Sequence, residues 1–314
     1  MAGLLYPNLV RTRPVLFPRS STITFDAALR DLGAPDVRAR VAAADALGDL
    51  PEGEDRAAAA AALVRALGDD RFEVRRSAAL SLGDVGDAAA VDGLLALVDD
   101  GNAEVRQAAI IALGRLGVAR AFEPLAQALT HGPPDVRYQA AISLVEIDAD
   151  RAYEPLTAAV GDADPEVRAN AALALGALGD RRAAGWIAKL LDDASEGARF
   201  EAAIALGRLG DRRALPALVT FLGARDDRRA YEAIEALEAL GDEGAVGPLA
   251  GKMRSVLAAR MVRVRAAGAI VRLASNGAVA GEARRLLEKA ARAWRAEVRG
   301  LATQLLAPPE GDGA

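Results

Sequence analysis

Apolar side chains along this chain recur at helical spacing in short blocks, and the blocks resemble one another. In "DPEVRANAALALGALGD", residues 164–180, Val167, Ala171, Leu175 and Leu178 fall on one stripe, the pattern of a helix with a single buried face. The ends carry their own signals. Asp164 suits a helix N-cap, Pro165 the first helical position, and Gly179 a left-handed helix end. The phrase stands earlier as "NAEVRQAAIIALGRLGV" from Asn102 and later as "SEGARFEAAIALGRLGD" from Ser195.

A Val-Arg pair marks each copy. It occurs at Val74-Arg75, Val105-Arg106, Val136-Arg137 and Val167-Arg168, each 31 residues after the last. Ala198-Arg199 keeps the interval, Arg229-Ala230 stands at the next place, and looser copies occur at Val37-Arg38, Val264-Arg265 and Val298-Arg299. A second apolar block precedes each phrase: "AFEPLAQALTH", "AYEPLTAAVGD", "AAGWIAKLLDD". Pro124, Pro155 and Pro248 lie at matching places in these blocks, where a first-turn proline is tolerated, and Trp186 takes that place in its own block.

A fixed period of roughly 20–50 residues is the mark of a solenoid. One helix pair cannot bury both its apolar faces, whereas stacked pairs cover one another. Gly83, Gly114, Gly176 and Gly207 recur within the second helices. A mid-helix glycine costs about 1 kcal/mol relative to alanine, so its recurrence points to helices that approach closely. The expected fold is all-α, a right-handed α-solenoid of about nine antiparallel helix pairs over residues 26–306. Residues 1–25, rich in proline, read as an extended segment that caps the first pair, lies along a groove or docks elsewhere. Residues 307–314 read as a disordered tail.

The phrase D-x-x-x-x-V-R-x-x-A-A-x-A-L-G-x-L-G-D resembles the HEAT repeat in its short, phycobilisome-lyase-like form. The resemblance implies that the Val-Arg helices line a concave face. It also implies that an Asp six residues before each Arg forms a ladder with the arginines of neighbouring repeats. Asp69, Asp100, Asp162 and Asp193 hold that place before Arg75, Arg106, Arg168 and Arg199, and the ladder is expected to break at His131 and Ala224.

Composition narrows the chemistry. There is no cysteine, which excludes disulfides and thiolate chemistry. His131 is the only histidine; it reads as a turn residue standing in for the ladder Asp rather than a general base. No "HE" dipeptide occurs, so the iron hydroxylases that resemble this fold find no ligands here. Paired carboxylates such as Asp69-Asp70, Asp99-Asp100, Asp192-Asp193 and Asp226-Asp227 stand where helices need caps. No catalytic residue, metal site or cofactor is expected. No run is long enough for a membrane span, and the N-terminus lacks a signal-peptide pattern, so the expected location is the cytoplasm.

Two surfaces stand out. The residue after each motif arginine runs Arg76, Gln107, Tyr138, Ala169, Phe200 and then Tyr231, which concentrates aromatic rings in one register. The next register runs Ser77, Ala108, Gln139, Asn170, Glu201, Glu232. If both flank the apolar stripe, Tyr138, Phe200 and Tyr231 anchor a protein or peptide partner, with Arg115, Asn170, Glu201 and Arg208 setting polar specificity; the alternative is that the rings fill gaps between Ala-rich helices. The second surface is basic. The net charge is -5, yet residues 252–300 carry 12 Lys and Arg and three Glu. Arg284, Arg285, Arg292, Arg295 and Arg299, with Trp294 among them, are candidate contacts for an acidic partner, an anionic surface or nucleic acid. The acidic central units argue against a DNA-repair groove. The leading expectation is a non-enzymatic interaction scaffold, with bilin-lyase-type chaperoning, implied by the resemblance, as an alternative.

Overall fold

The structure, a computed structural model, describes residues 23–50, 55–274 and 277–307. Expectations for the N-terminal segment and the tail therefore lie, apart from their inner ends, outside the described residues. Among the described residues there are eighteen α-helices, several short 3-10 turns and no strand.

The chain forms two compact units, Met1–Ala174 and Leu175–Ala314, each an α-solenoid stack. In the first, α1 (Phe25–Asp31) pairs with α2 (Val37–Gly48), α3 (Arg56–Ala66) with α4 (Phe72–Val85), and α5 (Val91–Ala96) with α6 (Ala103–Leu116). There α7 (Phe122–His131) pairs with α8 (Pro134–Ile147), and α9 (Ala149–Ala159) precedes α10 (Pro165–Leu178), whose last turn belongs to the second unit. The second unit holds α11 (Ala184–Ile187) with α12 (Glu196–Arg208) and α13 (Leu215–Leu222) with α14 (Asp227–Leu240). It ends with α15 (Val246–Arg254) on α16 (Arg260–Leu273) and α17 (Ala278–Ala290) on α18 (Ala296–Leu306).

Local chemistry sets the helix ends. Asp164 Oδ1 accepts from the N–H groups of Glu166 (2.9 Å) and Val167 (3.2 Å), and Asn102 and Asp226 cap α6 and α14 in the same way. At the other end Gly117 and Gly179 hold left-handed backbones, φ 61° and 71°, that other residues adopt only under strain. The Asp that follows such a glycine caps the next 3-10 turn: Asp180 accepts from Arg182 N–H at 2.9 Å and Asp211 from Arg213 N–H at 3.0 Å. One repeat differs. Asp148 takes an extended backbone and caps α9 directly, so α9 begins without a separate 3-10 turn. Pro155 consequently lies inside α9 rather than in its first turn, unlike Pro124 and Pro248, each third in its α-helix.

Within each unit the core lies between first and second helices. Leu63, Leu82, Leu94, Leu113, Leu125 and Leu144 fill it in the first unit, and Ile187, Leu206, Leu218 and Leu237 in the second, all fully buried. Successive second helices touch through small residues. A Cβ on Gly114 would stand 2.8 Å from Ser143 Oγ; one on Gly176 would stand 2.5 Å from Ala205 Cβ and 2.8 Å from its Cα. Gly114 and Gly176 therefore mark contact points too close for a methyl group unless a neighbour shifts.

Arginines tie the repeats together at the start of the second helices. Arg75 donates to both carboxylate oxygens of Asp100, at 2.8 and 2.9 Å, and to its own loop at Asp69 O, 2.8 Å. Arg137 repeats this with Asp162 and Gly132 O. The hydrogen bonds from Arg75 hold the Asp100 carboxyl below its ordinary range, so it stays ionised. The expected break at His131 does not occur. Arg106 reaches Asp135 Oδ2 instead, at 2.8 and 3.0 Å, Asp135 standing in the first turn of α8. His131 is the exposed last residue of α7, not a loop residue. At Ala224 the pattern does change: Lys252 Nζ donates to Ala224 O at 3.1 Å, and Arg199 donates to the carbonyls of Asp193 and Ala194 and, among the described residues, to no carboxylate. Two loose copies are also out of phase by two residues. The bond to the repeat's own loop is made by Arg40, to Ala34 O, and by Arg263, to Met253 O, rather than by Arg38 and Arg265.

Candidate docking face

The second helices of the first unit carry a face that the core does not fully cover. On a helix, positions four apart lie on one face, while the next residue along lies about 100° away. That rotation separates the two registers singled out in the sequence. In the first unit, the positions one, five and nine after the motif arginine share a face: Arg76, Leu80 and Asp84 on α4; Gln107, Ile111 and Arg115 on α6; Tyr138, Ile142 and Glu146 on α8. Leu80, Ile111, Ile142 and, on α10, Leu173 are each half-buried, in a row of apolar side chains along successive helices.

The expected site residues of this unit divide accordingly. Arg115 is exposed beside that row and pairs with Asp84 on the preceding helix at 2.7 Å. Tyr138 is half-buried on the same face. Asn170 does not face a partner: it is 3% exposed, and its Nδ2 donates to Tyr138 O at 2.7 Å across the helix contact. Ser77 and Gln139, in the same register, are buried too. This register faces the neighbouring second helix, which the hydrophobic pattern alone cannot reveal because the residues are polar. The apolar row escaped the sequence reading for the converse reason. Leu80, Ile111 and Ile142 look like core, and their exposure follows only from standing four residues beyond the aromatic register.

In the second unit the same registers are more closed. Phe200 is 3% exposed; it meets Phe221 edge-on, ring centroids 5.0 Å apart, and lies beneath the Arg229 guanidinium at 5.4 Å. Its ring thus packs in the core and not on the open face. Tyr231 is half-buried, with the Arg265 guanidinium 5.9 Å from its ring, and burial raises its phenol above the ordinary range. Arg208 is exposed. Glu201 is largely shielded from water, and burial, with the Glu232 carboxylate nearby, raises its pKa to about 7 against the opposing field of Arg208, Arg228 and Arg229. Glu232 is raised as well, chiefly by burial.

At the C-terminal end the basic residues divide into two sets. Arg254 pairs with Glu282, Arg265 and Arg272 with Glu238, and Arg299 donates to Ala293 O at 3.1 Å. Arg299, expected among the anion contacts, thus bonds its own loop. Arg284, Arg285, Arg292 and Arg295 are exposed. Arg285 and Arg292 line a depression of about 530 Å³ with Trp294. Among the described residues no group of three His, Cys, Asp or Glu could hold a metal ion. The carboxylates singled out for capping do bond backbone, as Asp69 does to Arg71 N–H at 2.9 Å and Asp193 to Ser195 N–H at 2.8 Å.

These features can be set beside known proteins. No curated protein matches the chain. Among solved structures, YibA of E. coli is 22% identical, with 79% of this chain and 92% of that one covered and a TM-score of 0.54. The CpcE–CpcF complex of phycocyanin lyase from Nostoc sp. is 24% identical over 87% and 98% of the two chains, with a TM-score of 0.41. Human deoxyhypusine hydroxylase in complex with glycerol is 22% identical over 90% and 94%, with a TM-score of 0.37. Residues 26–113, 91–164 and 153–238 match the family of HEAT repeats. Those matches span well over half of the sequence, and the chain belongs to the HEAT-repeat family.

Proposed function

We propose that this protein is a non-enzymatic scaffold that docks a protein or peptide along the second-helix face of its first unit. The observation that carries this reading is the half-buried apolar row Leu80, Ile111, Ile142 and Leu173. Helices packed about 8–10 Å apart set these side chains at intervals close to the ~10 Å between positions seven apart on a partner helix. An amphipathic helix with such anchors is a fitting ligand. Tyr138 and the Arg115–Asp84 pair flank the row and supply polar specificity at its rim. No helix among the described residues is long and apolar enough to cross a membrane, and a cysteine-free chain suits a reducing cytoplasm.

The test is a double substitution, Ile111→Gln with Ile142→Gln. Proteins captured from lysate by the wild-type chain should be lost from the variant while helical circular dichroism stays unchanged. An identical set of captured proteins would remove this face from consideration.

A further inference from the structure

Three of the most exposed apolar side chains in the molecule gather at one edge of the second unit. Val256 and Leu257, in the turn between α15 and α16, are 87% and 94% exposed, and Trp294, between α17 and α18, is 93% exposed. Both turns cross from the first to the second helix of neighbouring repeats, so they lie on the same edge of the stack. The depression beside them confirms this: Arg260, three residues beyond Leu257, lines it together with Arg285, Glu288, Lys289, Arg292 and Trp294. Its volume is about 530 Å³. Four of these six residues are cations and one is an anion. Among the described residues neither Arg260, Arg285, Lys289 nor Arg292 has an ion-pair partner, whereas Arg254, Arg265 and Arg272 in the same repeats all do. Exposed aliphatic tips and unneutralised cations thus occupy one edge.

We propose that this edge seats the protein on an anionic lipid bilayer. Arg260, Arg285, Lys289 and Arg292 would take lipid phosphates, Trp294 would lie at headgroup depth, and Val256 and Leu257 would enter the upper acyl region. The charge pattern alone would suit any polyanion. Trp294 could also stack on a nucleobase. The aliphatic pair decides between them: a nucleic acid offers Val256 and Leu257 only water and charge, whereas a bilayer interface receives cations, indole and aliphatic tips at successive depths. An acidic protein is disfavoured because Val256 and Leu257 stand almost fully exposed on a turn.

The experiment uses the full chain with Trp186 replaced by Phe, leaving Trp294 as the only indole. Vesicles of phosphatidylcholine with and without phosphatidylserine are the probe. Co-sedimentation and a blue shift of Trp294 emission are expected with phosphatidylserine and not with phosphatidylcholine alone. At about 1 kcal/mol per basic side chain near such a surface, Arg285→Ala with Arg292→Ala should weaken binding roughly 30-fold. Val256→Ser with Leu257→Ser should also weaken it while leaving retention on heparin unchanged; these side chains are exposed, so the fold is not at stake. Equal vesicle binding by the serine variant would overturn the proposal. So would absence of vesicle binding together with a Trp294 shift on single-stranded DNA or an acidic polypeptide, which would assign the edge to that ligand instead.

Discussion

Glu201 shows how one side chain couples this fold to pH. The folded state holds its proton up to about pH 7, whereas the unfolded chain releases it near the ordinary carboxyl value of 4.5. Folding therefore takes up a proton between these values, and stability falls as pH rises through that window. Glu201→Gln removes the ionisation but keeps the shape. It should raise the melting temperature at pH 8, by an amount equivalent to about 1–3 kcal/mol, and leave it nearly unchanged at pH 4.5. Equal effects at both pH values would show that the carboxyl is not held protonated. Asp100 behaves in the opposite sense: Arg75 depresses its pKa, so the pair's contribution is present above the ordinary carboxyl range and lost as pH falls through the depressed value. Removing the carboxylate with Asp100→Ala leaves a part-buried guanidinium without its partner and should cost about 2–4 kcal/mol in denaturant unfolding at neutral pH.

At the scale of the helix, the recurring glycine is a packing residue. In isolation Gly176→Ala would favour the helix by about 1 kcal/mol. Here the new methyl group would stand 2.8 Å from the Ala205 backbone at Cα, which cannot rotate out of the way. Overpacking of this kind costs about 1–3 kcal/mol, so the net change should be a lower melting temperature. A stabilised variant would mean that the helices are less tightly apposed than the geometry indicates. The same contact places Asn170, Gln139 and Ser77 out of reach of a partner, because residues on that side of each second helix meet the next helix rather than solvent.

For the molecule as a whole, stacking makes each repeat depend on its neighbours. The Asp100→Ala variant should lose amide-exchange protection in α4 and α6, whose repeats the Arg75–Asp100 pair joins, while α16 to α18 keep theirs. Uniform loss across the chain would indicate a cooperative unit much longer than nearest-neighbour coupling allows. The proposed surface roles divide at this scale as well: apolar docking on second helices of the first unit, and anionic binding near the end of the second.

Much of this architecture was legible from short-range signals. Helix starts at Asp164, Asn102 and Asp226 and ends at Gly117 and Gly179 are set by residues within four positions of one another, so a single strand of sequence carries them, and the 31-residue spacing then implies a stack. The ladder partner of Arg106 was not legible, since Asp135 stands four residues past the expected position, in the first turn of α8, and only the packing of the two repeats brings it within reach of Arg106. Nor was the outward face. Each step along a helix turns a side chain by about 100°, and only the neighbouring helix, brought close by a glycine, decides whether Asn170 or Tyr138, Phe200 or Ile142, is the one left in contact with water.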